Sequence, residues 1–91
     1  MGTYSIQWKA SAVKDLRRLD RQAVHEIHKA IEELASDPFC ANTLKMKGTE
    51  HSYRLRVGHY RVIYSVYQSI LAVEIVRVGH RKDVYRRSDF G

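Results

Sequence analysis

Residues 53–67 read YRLRVGHYRVIYSVY, and this stretch decides the fold. Apolar and polar residues alternate through both arms, the period of a half-buried strand. Gly58 and His59 separate the arms as a two-residue loop with glycine first, which suits a type II′ turn. That turn sets a register. Val57 falls opposite Tyr60, Arg56 opposite Arg61, Leu55 opposite Val62 and Tyr53 opposite Tyr64. One face is then Tyr53, Leu55, Val57, Tyr60, Val62 and Tyr64, a core face. The other carries Arg54, Arg56 and Arg61, with Ile63 beside them. Two arginines directly across a strand pair repel, and folding alone does not select them. A bound polyanion accounts for them, because the guanidinium fork matches phosphate oxygens. A solvated face with arginine chosen for solubility accounts for them equally.

Working outward, the hairpin belongs to a chain of 91 residues, expected to form one domain over residues 1–91. The 44% apolar fraction is enough for one core. Cys40 is the sole cysteine, so no internal disulfide forms, and redox chemistry and thiolate zinc sites are disfavoured. A reducing, cytoplasmic setting is expected, with no signal segment and no membrane-spanning run. The net charge of +6 is uneven. Residues 1–46 hold seven Lys/Arg against six Asp/Glu, and residues 47–91 hold nine against four. Five of the six tyrosines also lie in the second half. Cations interleaved with rings suit nucleic acid, and an acidic protein would meet the same surface.

Upstream, residues 4–8 alternate as a first strand with Tyr4, Ile6 and Trp8 on one face. Ser11 is a candidate N-cap for a helix burying Val13, Leu16 and Leu19, with Lys14, Asp15, Arg17 and Arg18 in solvent. Asp20 caps a second helix whose Val24, Ile27, Ile31 and Leu34 form an amphipathic stripe. Pro38 stops it. His25 and His28 share that helix, but their spacing and surroundings match no metal motif, and solvated histidines are the expectation. Residues 38–52 show no clear period. Their Lys45 and Lys47 are either phosphate contacts or ordinary loop lysines.

Downstream, Gln68 and Ser69 read as a tight turn and residues 70–78 as an apolar strand. Pairing Tyr67 with Ile70 puts Leu71, Val73 and Ile75 in the core, and Glu74 diagonal to Arg61, where it would steady the guanidinium. The sum is strand, two helices, three strands: an α+β fold with helices on one face of a four-stranded sheet. The chain then closes on VGHRKDVYRR, residues 78–87. His80 and Arg81 extend the basic face from the strand end, and Tyr85 lies four residues beyond Arg81.

GHYRVIY and VGHRKDVYR together resemble the RelE/ParE superfamily of type II toxins, and the length and element order fit along nearly the whole chain. The resemblance implies a sheet packed on a helical hairpin. Its RelE branch implies an endoribonuclease, an mRNA interferase, that cuts mRNA in the ribosomal A site and so inhibits translation. It implies an antitoxin that covers the basic face, and operator DNA bound only through the antitoxin complex. Arg61, Arg81 and Tyr85 match the family's strand arginine, the arginine after the last strand and the C-terminal tyrosine. Arg54 and Arg56 stand where RelE carries lysines, so they are better phosphate clamps than proton carriers. Lys82 joins them as a substrate contact. No metal or other cofactor is expected. Arginines stabilise the phosphorane, while the base is either Tyr85 or His80, imidazole titrating nearer working pH. By chemistry alone His59 is a candidate base alongside His80, or it is a turn residue only. The superfamily's ParE branch implies a different toxin, acting on DNA gyrase without catalysis. A homologue that only pairs with an antitoxin is a further alternative.

Overall fold

The computed structural model describes residues 3–40, 43–48 and 51–80. In chain order these form β1 (Ser5–Trp8), α1 (Ala10–Arg17), α2 (Arg21–Ser36), β2 (Thr43–Lys45), β3 (Ser52–Val57), β4 (Tyr60–Tyr67) and β5 (Ala72–His80). The sheet runs β1-β5-β4-β3-β2, with β1 parallel to β5 and the other pairs antiparallel. This is the expected α+β architecture with one strand more than the sequence suggested. The fifth is β2, inside the stretch without clear period.

The helices lie over the face that carries Leu55, Val62, Tyr64, Val66, Val73, Ile75 and Val78, and Ala12, Ile27, Ile31 and Leu34 meet it. Burying each such aliphatic side chain contributes about 1.5–3 kcal/mol, so this cluster is the main source of stability. Tyr4, Ile6 and Trp8 line its margin, as their alternation predicts. Asp20 caps α2 by accepting from Ala23 N at 2.8 Å. The α2 stripe lies as read, except that Ala23 is buried and Val24 only half-buried.

Leu16 of α1, and Leu19 just beyond it, pack against the core as expected, but the first turn of the helix differs. Lys9, not Ser11, is the N-cap, Val13 is exposed, and Ala12 and Asp15 are buried. The cause is a strand edge. β1 ends at Trp8, so β5 has no strand neighbour on that side beyond Ile75. α1 takes the missing place. Ser11 Oγ donates to Val76 O at 2.6 Å, and Asp15 Oδ2 accepts from Val78 N at 2.9 Å. The same carboxylate grips Arg77, Oδ2 accepting from Nε at 2.8 Å and Oδ1 from Nη2 at 3.1 Å. Asp15 is therefore not a solvent residue. Four residues apart, Ser11 and Asp15 share one helix face, which is why both reach one edge.

The hairpin register is as the turn dictates, from Val57 opposite Tyr60 to Tyr53 opposite Tyr64. Gly58 has φ +58° and His59 does not share that sign, the pattern of a II′ loop. The β4–β5 connection differs from the expected two-residue turn. It takes four residues, a 3₁₀ turn at Gln68–Ile70 followed by Leu71 at φ 49°. Ile70 and Leu71 are exposed rather than strand and core residues. Tyr67 pairs with Ala72, and a bulge places both Val76 and Arg77 opposite Ile63. Val73, Ile75 and Val78 still reach the core because the bulge absorbs the broken alternation.

Candidate functional site

The face away from the helices is set by register, since directly opposed residues share a face with Cβ atoms about 4.5–5.5 Å apart. Three ranks cross it. Nearest the hairpin tip, Arg56, Arg61 and Gly79 lie in line. Next come Leu44, Arg54, Ile63 and Arg77. The third is Ser52, Ser65, Glu74 and Gln7. Arg54, Arg56 and Arg61 thus meet on one side of the sheet.

Arg56 is exposed, while Arg54 and Arg61 are half-buried. Ile63 is buried between Arg54 and Arg77. Arg77 is engaged with Asp15, so its guanidinium is turned to the sheet edge. Glu74 does not lie diagonal to Arg61, as the shorter turn would have it. It faces Ser65 and Gln7, two ranks away, and steadies no arginine of the tip. The longer connection and the bulge shift the register and cause the difference.

The other candidates distribute as follows. His80 is the last residue of β5 and faces Tyr60, which places it on the helix side of the strand end rather than in line with Arg61. Its ring meets Tyr60 at 5.9 Å, nearly perpendicular, and lies parallel to that of His59 with centroids 6.4 Å apart. Lys45 pairs with Tyr53, also on the helix side, and Lys47 is exposed beyond the strand. Arg81, Lys82 and Tyr85 lie outside the described residues. His25 and His28 are exposed, and the His28 ring rests against Trp8 at 5.4 Å. Among the described residues no three His, Cys, Asp or Glu side chains cluster as a metal centre would require.

Leu44 was missed. It is 60% exposed and borders Arg54 on the cationic face. The alternation of Leu44 and Met46 with Lys45 and Lys47 was its signal. Beneath the site, Tyr64 anchors the central strand, its hydroxyl donating to Pro38 O at 2.6 Å. Burial pushes this phenol well above the ordinary tyrosine range, so it is a structural donor rather than a proton acceptor.

Chemically, Arg54, Arg56 and Arg61 gather guanidinium groups on one side of the sheet, and among the described residues no carboxylate shares their two ranks. That arrangement favours a phosphodiester or a carboxylate-rich peptide.

Known proteins share this plan. The family model for the ParE toxin of the type II toxin–antitoxin system parDE matches residues 6–85. Toxin RelG of Mycobacterium tuberculosis is 27% identical over 85 residues, spanning 92% of this chain and 98% of that protein. The toxin–antitoxin structures are similar too. The archaeal RelE–RelB complex of Pyrococcus horikoshii superposes with a TM-score of 0.77 at 28% identity, over 87% of this chain and 96% of the other. The intact Escherichia coli RelBE complex gives 0.72 at 28%, over 85% and 95%. With four-fifths and more of its length matched and its helical hairpin and mixed sheet in common with those structures, the chain belongs to the RelE/ParE superfamily of type II toxin–antitoxin toxins.

Proposed function

We propose that this toxin is a ribosome-dependent endoribonuclease that cuts mRNA in the A site and thereby arrests translation in the cytoplasm. The observation that carries this reading is the rank of Arg56 and Arg61, backed by Arg54, on one side of the sheet. In-line attack of a ribose 2′-oxygen on the adjacent phosphorus expels the 5′-oxygen. It leaves a 2′,3′-cyclic phosphate on one fragment and, once solvent has protonated the departing oxygen, a 5′-hydroxyl on the other. The bond formed is 2′-O–P and the bond broken is P–O5′, so neither water nor metal is consumed. The phosphorane carries extra negative charge, and preorganised cations that meet it supply the largest share of rate enhancement. Arg61 and Arg81 take that role, and Arg54, Arg56 and Lys82 hold the flanking phosphates; Lys45 and Lys47 lie off the arginine face and are left out. Tyr85 takes the 2′-OH proton, with His80 as the second choice.

An antitoxin is the second partner. The RelE chains of Pyrococcus horikoshii and Escherichia coli are each seen with RelB, and a cognate antitoxin here would silence the toxin by covering the arginines. Operator DNA would be engaged by that complex only.

The test is induced expression with transcriptome-wide mapping of mRNA 5′ ends. Cuts in register with the ribosomal A site, lost in Arg61→Ala and Arg81→Ala, are expected, with Tyr85→Phe and His80→Ala separating the two bases. The match to the ParE family model favours a second reading, a toxin acting on DNA gyrase without catalysis. Intact mRNA together with inhibited supercoiling would establish it over the first. Expression without growth arrest would leave an antitoxin-binding homologue only.

A further inference from the structure

The tip of the β3–β4 hairpin and the end of β5 bring two imidazoles face to face. His59 is the second turn residue and His80 closes β5. Their planes are within 5° of parallel and their centroids are 6.4 Å apart. Stacked bases sit about 3.4 Å apart, so a ring held between two others needs about 6.8 Å. The centroid distance is the widest gap these two rings can leave, and it lies close to that value. Both histidines are exposed, so their side chains can rotate to open the gap.

Folding gains little from this pair. Neither ring is buried, and neither belongs to the core cluster. The slot is nonetheless held in shape. Tyr60, partly buried against the core, meets the His80 ring at 77° and fixes its orientation. His59 is fixed by the tight loop, where Gly58 alone takes the positive φ. Arg61, two residues on from His59, follows Tyr60 in β4 and points to the opposite face of the sheet. A strand of RNA whose phosphate meets Arg61 must therefore round the end of the sheet to bring a base to the slot.

We infer that His59 and His80 clamp a single unpaired nucleobase of the RNA whose backbone is held at Arg61, an inference that rests on the endoribonuclease reading above. The backbone lies on the arginine face and the base turns over the end of the sheet towards the helix side, where His80 sits. Recognition by two π-faces tolerates any base, with purines favoured by their larger ring area.

The test uses the full chain and an RNA of about eight nucleotides, a typical single-strand site size. One version carries 2-aminopurine, whose emission is quenched on stacking, and another has every base removed. The wild type should bind the base-bearing RNA roughly 5- to 100-fold more tightly than the abasic one and quench the probe. His59→Ala/His80→Ala should lose the difference and the quenching and keep the salt dependence set by the arginines. His59→Phe/His80→Phe should retain the difference, because it restores two flat rings. A double alanine variant that still prefers bases overturns the clamp, as does a wild type indifferent to base removal. If ribosomal cleavage and salt-dependent binding persist in that case, the endoribonuclease reading stands without the clamp. If both are missing from the wild type, the two fall together.

Discussion

Arg56 and Arg61 face each other directly across β3 and β4, two cations at the closest spacing a sheet provides. Such a pair costs stability, by about 0.2–1 kcal/mol. Arg56→Thr keeps good strand propensity and removes the repulsion. It should raise the urea midpoint while lowering mRNA cleavage. A variant that is both less stable and fully active would show the pair to be structural.

Arg61→Lys separates charge from shape. The ammonium preserves the positive charge but has no planar fork for two phosphate oxygens. Cleavage should fall for Lys and fall further for Ala, the latter by about 10²–10³-fold if Arg61 meets the phosphorane. Single-turnover rates on programmed ribosomes give the comparison, with circular dichroism confirming an unchanged fold. Equal activity in all three proteins would remove Arg61 from the site.

Tyr64→Phe deletes the donor to Pro38 O. Leaving that carbonyl unsatisfied should cost about 1–3 kcal/mol in chemical denaturation. The phenol also sets a pH limit. Its folded pKa is raised by burial above the ordinary value of 10.0. The unfolded state therefore loses its proton first, and the linked stability is complete below pH 10 and declines as pH rises beyond it. The variant should be less stable at neutral pH but show a shallower decline above pH 10. An identical decline in both proteins would assign the effect to the other tyrosines.

Asp15→Ala removes the carboxylate that Arg77 and Val78 N share. Removing one partner of a well-shielded pair should cost about 3–5 kcal/mol. Asp15→Ala combined with Arg77→Met should recover part of that loss, since the uncompensated charge is gone. A double variant as unstable as the single one would mean that the backbone contact to Val78 dominates.

The hairpin was legible because a two-residue turn and a strict alternation fix register without any long-range information. The α2 stripe and the Asp20 cap are similarly local. What escaped reading was set by pairing between distant segments. Asp15 looks like a surface residue until β1 stops at Trp8 and exposes the β5 edge that it covers. Glu74 was misplaced because the connection takes four residues with Leu71 at positive φ, a conformation no leucine advertises. β2 carries only three residues, and the alternation of Leu44 and Met46 with two lysines is too short to stand out from a loop, so Leu44 went unnoticed beside Arg54. For the site, the strand arginines followed from the hairpin. The parallel approach of His59 and His80 did not, since it joins a turn to a strand end twenty-one residues on.

The way α1 closes β5 bears on self-association. A bare strand flank is a template for any extended chain, and small sheet proteins aggregate through such flanks. Here the helix ends the hydrogen-bond ladder with Ser11 and Asp15 instead of another strand. A dimer or fibre that grew from this half of β5 would first have to peel α1 away and abandon the grip of Asp15 on Arg77.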